Sequence, residues 1–236
     1  LHFGDSAGAR LSWTKAAVAR AAQFHHGFTG PVWGRRATKI DVLDDVALRA
    51  RVKYLMAQAC AENLVLKPAD WPGVNSVDAL CRGAVMRGSY VTADERRAAM
   101  RNGTLILPMN RTLELVPLPS LPESVHARQT WYRHIEKEII AETRERMAAE
   151  GKRPSTRRAL QTRSPNSRPK TFTRSPAPAC HSSSRRLIQQ FLVARAEFAA
   201  RWREALDDLR RGVRVCFPEG GWWPYGCREV APLQQV

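Results

Sequence analysis

Acidic residues are scarce in this chain relative to its cations: 22 Asp+Glu stand against 38 Lys+Arg, a formal net charge of +16 over 236 residues. The deficit is also local, because no carboxylate occurs between Glu150 and Glu197. Charge this one-sided points to a polyanionic partner, and nucleic acid is the commonest one. An Arg-rich, high-GC proteome is the plainer explanation. The chain also lacks any apolar run near the roughly 20 residues that span a bilayer, and it shows no signal peptide. Its five cysteines (Cys60, Cys81, Cys180, Cys216 and Cys227) include no CxxC, and the odd count does not suit a secreted disulfide framework. Cys180-His181 has no second ligand pair at zinc spacing. Reduced thiols in a cytoplasm are the expectation. There is no internal repeat. The chain begins in mid-phrase at Leu1 without an initiator Met, so further residues are expected upstream.

What is present centres on Arg51–Pro72, RVKYLMAQACAENLVLKPADWP. Its first part reads as a helix with Tyr54 and Gln58 four residues apart, so both share one face. Leu48, Val52, Leu55 and Ala59 follow apolar helical spacing and are expected to form the inward stripe on a different face. Asp44 is the expected N-cap, and Asn63, which tolerates a left-handed conformation, the stop. Pro68 and Pro72 then impose extended backbone.

Before that stretch, the Ala-rich segment from Arg10 to about His25 has helical spacing and ends at Gly27 and Gly30-Pro31. His25 and His26 are adjacent, about 100° apart on a helix, and have no further ligand at useful spacing, so a metal site there is disfavoured. Pro31 to Leu43 has the aromatic and β-branched content of a strand. Arg35 and Lys39 would share one face of it and Arg36 the other. Phosphate contact and a solvated edge-strand face account for those cations equally well.

After it, Asn75 to Leu80 reads as a short helix, with turns at Gly83 and Gly88. TADERRAAMRNG reads as a capped helix within the weakly patterned span 89–122, followed by a Pro-rich connection. Pro122 to Glu150 is a long helix with a Trp131, Ile135, Ile139 stripe. Residues 151–186 are basic and rich in Pro and Ser, too polar to fold alone, and read as a linker that either lies along DNA phosphates or is a plain tether. Ser182–Ser184 can cap a last helix with the stripe Leu187, Phe191, Ala194, Phe198, Ala205 and Leu209, closed by Gly212 and paired antiparallel with the Trp131 helix. The aromatics Trp222, Trp223 and Tyr225 are expected to pack on that pair rather than stack on bases.

Taken in order, GPVWGRRATKIDVLDD, VKYLMAQACAENLV and PADWPGV resemble the second half of the REP-associated branch of the single-tyrosine (HUH-type) insertion-sequence transposases. That family carries a Trp-x-x-Arg strand, a helix with Tyr-x-x-x-Asn or Tyr-x-x-x-Gln, a Gly-Leu-Val stop and an Asp-Trp-Pro segment. The resemblance covers roughly residues 9 to 80. It implies an α/β fold, a partial ferredoxin-like transposase core followed by a mainly α-helical C-terminal extension. The implied parts are 1–80 as catalytic half-domain, 81–150 as helical extension, 151–186 as linker and 187–236 as terminal helix with its aromatic tail.

The implied chemistry is nicking and rejoining of single-stranded, hairpin-bearing DNA through a 5′-phosphotyrosine. Tyr54 would be the nucleophile and Gln58 a ligand of divalent Mg or Mn. Arg35, Arg36, Lys39, Arg51 and Lys53 would contact DNA, and the working unit would be a homodimer. A neutral phenol is a weak nucleophile, and a divalent ion on the scissile phosphate offsets this by stabilising transition-state charge.

The family's His-hydrophobic-His metal pair is not in this sequence. Ala37 replaces a usual aromatic, and Gln58-Ala59-Cys60 replaces Asn-Pro-Val. One Gln cannot hold Mg²⁺ or Mn²⁺ alone, so this chain by itself is expected to be inactive or nearly so. A non-enzymatic basic DNA-binding protein and an inactive transposase remnant are the alternatives.

Overall fold

The computed structural model describes residues 6–27, 29–33, 40–105, 109–118, 120–162 and 178–218. In chain order the elements are α1 (Ser6–His26), β1 (Asp41–Val42), α2 (Asp45–Ala61), a 3-10 turn (Pro68–Asp70), α3 (Val77–Arg82) and β2 (Met86–Tyr90). They continue with α4 (Ala93–Asn102), β3 (Met109–Leu113), α5 (Val125–Ala149), α6 (Arg157–Thr162), β4 (Cys180–His181) and α7 (Arg185–Arg210). The fold class is therefore mixed, helices with small sheets and a helical C-terminal region. Both sheets are two-stranded, β1 with β4 in parallel and β2 with β3 antiparallel. Among the described residues no helix is long and apolar enough to cross a membrane.

Contacts group the chain into two units, Asp45–Arg174 and Leu1–Asp44 with Ser175–Val236. The division falls inside the span 1–80 and joins residues 45–80 to the long helix after them.

In the unit Asp45–Arg174, α2 forms because its interior is built from good helix formers, with Asp45 in the first turn where a negative charge suits the helix dipole. Its inward stripe is Val52, Met56 and Cys60, spaced by four. These side chains pack with Val65, Val77, Cys81, Tyr132, Ile135 and Ile139 into one core shared by α2, α3 and α5. Of the expected stripe, Val52 is in this cluster and Leu48 and Ala59 pack against it, but Leu55 is 68% exposed.

The stop of α2 is built from both sides. Asn63 takes φ of 55°, and the Leu64 amide donates to the Ala59 carbonyl at 2.9 Å. From α5, Arg146 Nη2 donates to the Cys60 carbonyl at 2.6 Å, filling one of the acceptors a helix end leaves open.

The segment after it is not uniformly extended. Lys67 and Trp71 are extended, and the 3-10 turn lies between them. Trp71 then packs on the core. Gly73 is needed beneath it, since a Cβ there would lie 2.5 Å from the indole Nε1.

Helix α4 is the expected capped helix, and its cap is a capping box. The Thr92 hydroxyl accepts from the Glu95 amide at 3.1 Å, and the Glu95 carboxylate accepts from the Thr92 amide at 2.8 Å. This helix connects β2 to β3, whose register pairs Met86 with Leu113 and Tyr90 with Met109. Gly88, expected in a turn, lies mid-strand opposite Arg111. Helix α5 falls within the expected bounds. Its buried residues are Tyr132, Ile135, Glu136, Ile139, Thr143 and Met147, while Trp131 is only partly covered.

In the other unit, Pro31–Trp33 is not strand. The Trp33 indole N–H donates to the Lys15 carbonyl of α1 at 2.9 Å. Among the described residues of the strand expected over 31–43, Asp41–Val42 is strand, paired with Cys180–His181. The Asp44 carboxylate accepts from the Ser182 hydroxyl at 2.5 Å and the Ser183 amide at 2.7 Å. Ser184 caps α7, accepting from the Leu187 amide at 3.4 Å. Ala205 is the buried member of the α7 stripe, Ala194 is exposed, and Gly212 closes the helix at φ of 78°. The Trp131 helix packs on α2 and α3 in its own unit. Trp222, Trp223 and Tyr225 lie outside the described residues.

Candidate active-site tyrosine and its helix

On α2 each residue advances 100°, so Tyr54 sits about 200° from Val52 and projects away from the packed stripe. The side chain is 57% exposed, and Gln58, one turn on, is exposed beside it. Both therefore face solvent on one side of the helix, as their spacing implied. The Arg51 guanidinium carbon lies 5.4 Å from the centre of the Tyr54 ring, a cation–π contact worth roughly 0.5–1 kcal/mol at an exposed site. A reachable phenol, a neighbouring amide and one adjacent cation form a surface that suits an anion approaching the hydroxyl.

Lys53 is placed differently. Its ammonium lies 2.5 Å from Glu142 and 3.3 Å from Glu138, both on α5. The hydrogen bond to Glu142 is the main cause holding its pKa above the usual lysine range. Arg49 adds a 2.5 Å contact to Glu138 and is the first cause of that carboxyl being held below its ordinary range. His134 Nε2 approaches the same carboxylate at 3.3 Å. These ion pairs tie α2 to α5 along the flank next to the tyrosine face. Of the two α2 cations expected at DNA, Arg51 stands at Tyr54 and Lys53 is engaged by carboxylates. Arg35, Arg36 and Lys39 lie outside the described residues.

Gln58 is the ligand the resemblance assigns to the implied divalent metal. Among the described residues no group of three or more His, Cys, Asp and Glu lies together to hold a metal ion. Divalent Mg and Mn ask for several oxygen or nitrogen ligands. The described residues do not make up such a site.

Two of the thiols are packing groups. Cys60 and Cys81 are buried in the core, and burial pushes their thiols up to about 11 and about 12. Cys180 is also buried, and Cys216 is exposed.

Two charged features escaped the sequence reading. Glu136 of α5 is buried, and both its carboxylate oxygens lie 3.0 Å from Arg82 Nη2. Nothing in the local sequence marks that glutamate, because i, i+4 charge patterns belong equally to a solvated helix face. The second feature is an exposed basic ribbon formed by β2 and β3. Its strands carry only an incomplete alternation, Met86 and Tyr90 across from Leu113 and Met109 with Gly88 and Arg111 between them. Comparison of the chain with protein-family models, with curated proteins and with solved structures finds no match in any of the three.

Proposed function

We propose that the chain is part of a single-tyrosine DNA transposase, with Tyr54 as the group that in the complete protein attacks a backbone phosphorus of single-stranded, hairpin-bearing DNA. The observation that carries this reading is the placing of Tyr54 and Gln58 together on the exposed side of α2, with Arg51 against the ring. The ordered Trp-x-x-Arg, Tyr-x-x-x-Gln and Asp-Trp-Pro motifs supply the class, and the +16 charge suits the substrate.

In this reading the Tyr54 oxygen forms a bond to the phosphorus, the 3′ oxygen of the neighbouring nucleotide leaves and takes up a proton, and a 5′-phosphotyrosine remains. The linkage conserves a phosphodiester, so a 3′-hydroxyl can displace the tyrosine and rejoin a strand without ATP. Arg51 is placed to attract the phosphate, and Gln58 to hold an oxygen-bound group next to it. Divalent metal is required in the complete family member through ligands additional to Gln58. The working unit is a homodimer.

The charge also favours a second reading, a non-enzymatic DNA-binding protein in which Tyr54 is only an exposed aromatic. Incubation with hairpin-bearing single-stranded oligonucleotide and Mn²⁺, followed by a denaturing gel, tests the chemistry. The chain alone is expected to give no covalent DNA adduct, because Gln58 by itself cannot hold the divalent ion. An adduct that disappears in Tyr54→Phe would overturn the expected inactivity and establish the nucleophile. An adduct that survives in Tyr54→Phe would remove Tyr54 from the role.

A further inference from the structure

A second stretch free of carboxylates lies between Asp5 and Asp41, and it carries six Lys or Arg and four Trp or Phe. Helix α1 and the segment 29–33 make up most of its described part. No described side chain of α1 is buried, so this Ala-rich helix does not form to fill a core.

One side of α1 is taken by the returning chain. Gln23 Nε2 donates to the Gly30 carbonyl at 2.6 Å, and the Trp33 indole N–H donates to the Lys15 carbonyl at 2.9 Å. The Lys15 ammonium lies 5.2 Å from the centre of the Trp33 ring, and Ala16, Ala19 and Ala22 on this side are half-buried. The opposite side is different. At 100° per residue, Trp13, Arg20 and Phe24 fall within about 40° of one another and point away from Lys15. Trp13 is 59% and Phe24 63% exposed, and Arg20 between them is exposed too. Among the described residues Arg20 forms no salt bridge.

Along the helix axis Arg20 lies ~10 Å from Trp13 and ~6 Å from Phe24, so a strand laid along α1 meets ring, cation and ring in turn. Large rings interleaved with a cation, with no anion nearby, suit single-stranded nucleic acid, whose bases stack on the rings while the cation holds the phosphates between them. A helix lying on a membrane separates its cations from its apolar side. Here Arg20 lies beside Trp13, whereas the exposed Leu11 and Val18 lie about 140–160° away from it. From these features we infer that α1 carries a base-stacking platform for a single strand, with Trp13 and Phe24 as the rings and Arg20 as the phosphate contact. The inference rests on the DNA reading and is independent of Tyr54 chemistry.

The test measures binding of a fluorescent oligothymidylate, and of a duplex of equal length, to the 236-residue chain between 50 and 200 mM salt. Circular dichroism checks each variant for folding. Trp13→Ala/Phe24→Ala should lose about 25-fold or more in affinity for the single strand, about fivefold per ring, at an unchanged salt slope. Trp13→Phe/Phe24→Tyr, which keeps both rings, should retain most of the affinity. Arg20→Ala should lower the slope by about 0.7, and Arg20→Lys should restore it. A loss smaller than fivefold in the folded alanine pair would overturn the inference and leave the DNA reading standing. An equal loss on the duplex would also overturn it, since paired bases offer no free faces to stack. Parent-like oligothymidylate binding by the alanine pair, with loss of binding to phosphatidylserine vesicles, would assign the face to a membrane and overturn it as well. No binding of either nucleic acid by the parent would overturn both readings.

Discussion

Ile135→Ala is expected to destabilise the unit Asp45–Arg174 by about 3–4 kcal/mol. Ile135 is 0% exposed and belongs to the cluster in which α5 meets Val52, Met56 and Cys60 of α2 and Val77 and Cys81 of α3. Removing its branched side chain costs the transfer energy of the lost carbons plus the cavity they leave. That cavity cannot close easily, because the helices around it are fixed at several points. Lys53 and Arg49 hold α2 to Glu142 and Glu138, and Arg146 holds the end of α2 through the Cys60 carbonyl. Ile135→Val removes one carbon and should cost only about 0.5–1.5 kcal/mol. Urea unfolding followed by circular dichroism measures both, as a lower midpoint at unchanged slope. A cost below about 1 kcal/mol for the alanine variant would mean that this cluster is not the core.

Arg82→Met is expected to cost about 2–3 kcal/mol, by a different route. Glu136 is 6% exposed, so its ionised form depends on the Arg82 guanidinium 3.0 Å from both oxygens. Arg82 is itself half exposed and also bonds Asp78 at 2.7 Å, which places the cost below that of a fully buried pair. Without Arg82 the carboxylate is left dehydrated beside Cys81, whose thiol it already helps to push up. Replacing both partners removes the orphaned charge, so Arg82→Met/Glu136→Met should recover most of the loss. The same urea measurement checks it. A double variant as unstable as Arg82→Met alone would show that packing, and not charge, is what Arg82 provides.

The sequence showed most where local rules and tertiary packing agree. Thr92, Glu95 and Gly103 are a capping box and a left-handed stop, signals complete within twelve residues, and α4 begins and ends there. Asn63 stops α2 for the same reason. The outward turn of Tyr54 was legible because burial of Val52 alone fixes the phase of the helix.

The phase error at Leu55 has a simple origin. Spacings of three and four fit two neighbouring faces, and Met56 and Cys60 fit the inner one once α5 lies against it. The β1–β4 pairing joins Asp41 to Cys180 and Val42 to His181 across a separation that no local pattern records. The β2–β3 ribbon was missed because its strands are short and β3 is exposed, and Gly88 and Arg111 interrupt the alternation that betrays a half-buried strand. For Lys53 the sequence could not decide, since a helix-surface cation reads the same whether it meets phosphate or glutamate.

The placing of Tyr54 at DNA is tested most directly by photo-cross-linking a hairpin-bearing oligonucleotide substituted with 5-iodouracil near its cleavable end, then locating the adduct by peptide mass spectrometry. The tyrosine face of α2 predicts cross-links within the tryptic peptide Tyr54–Arg82, assigned by fragmentation to Tyr54 and lost in Tyr54→Ala. Cross-links confined to other peptides, with Tyr54→Ala binding the same oligonucleotide as tightly as the parent chain, would contradict it.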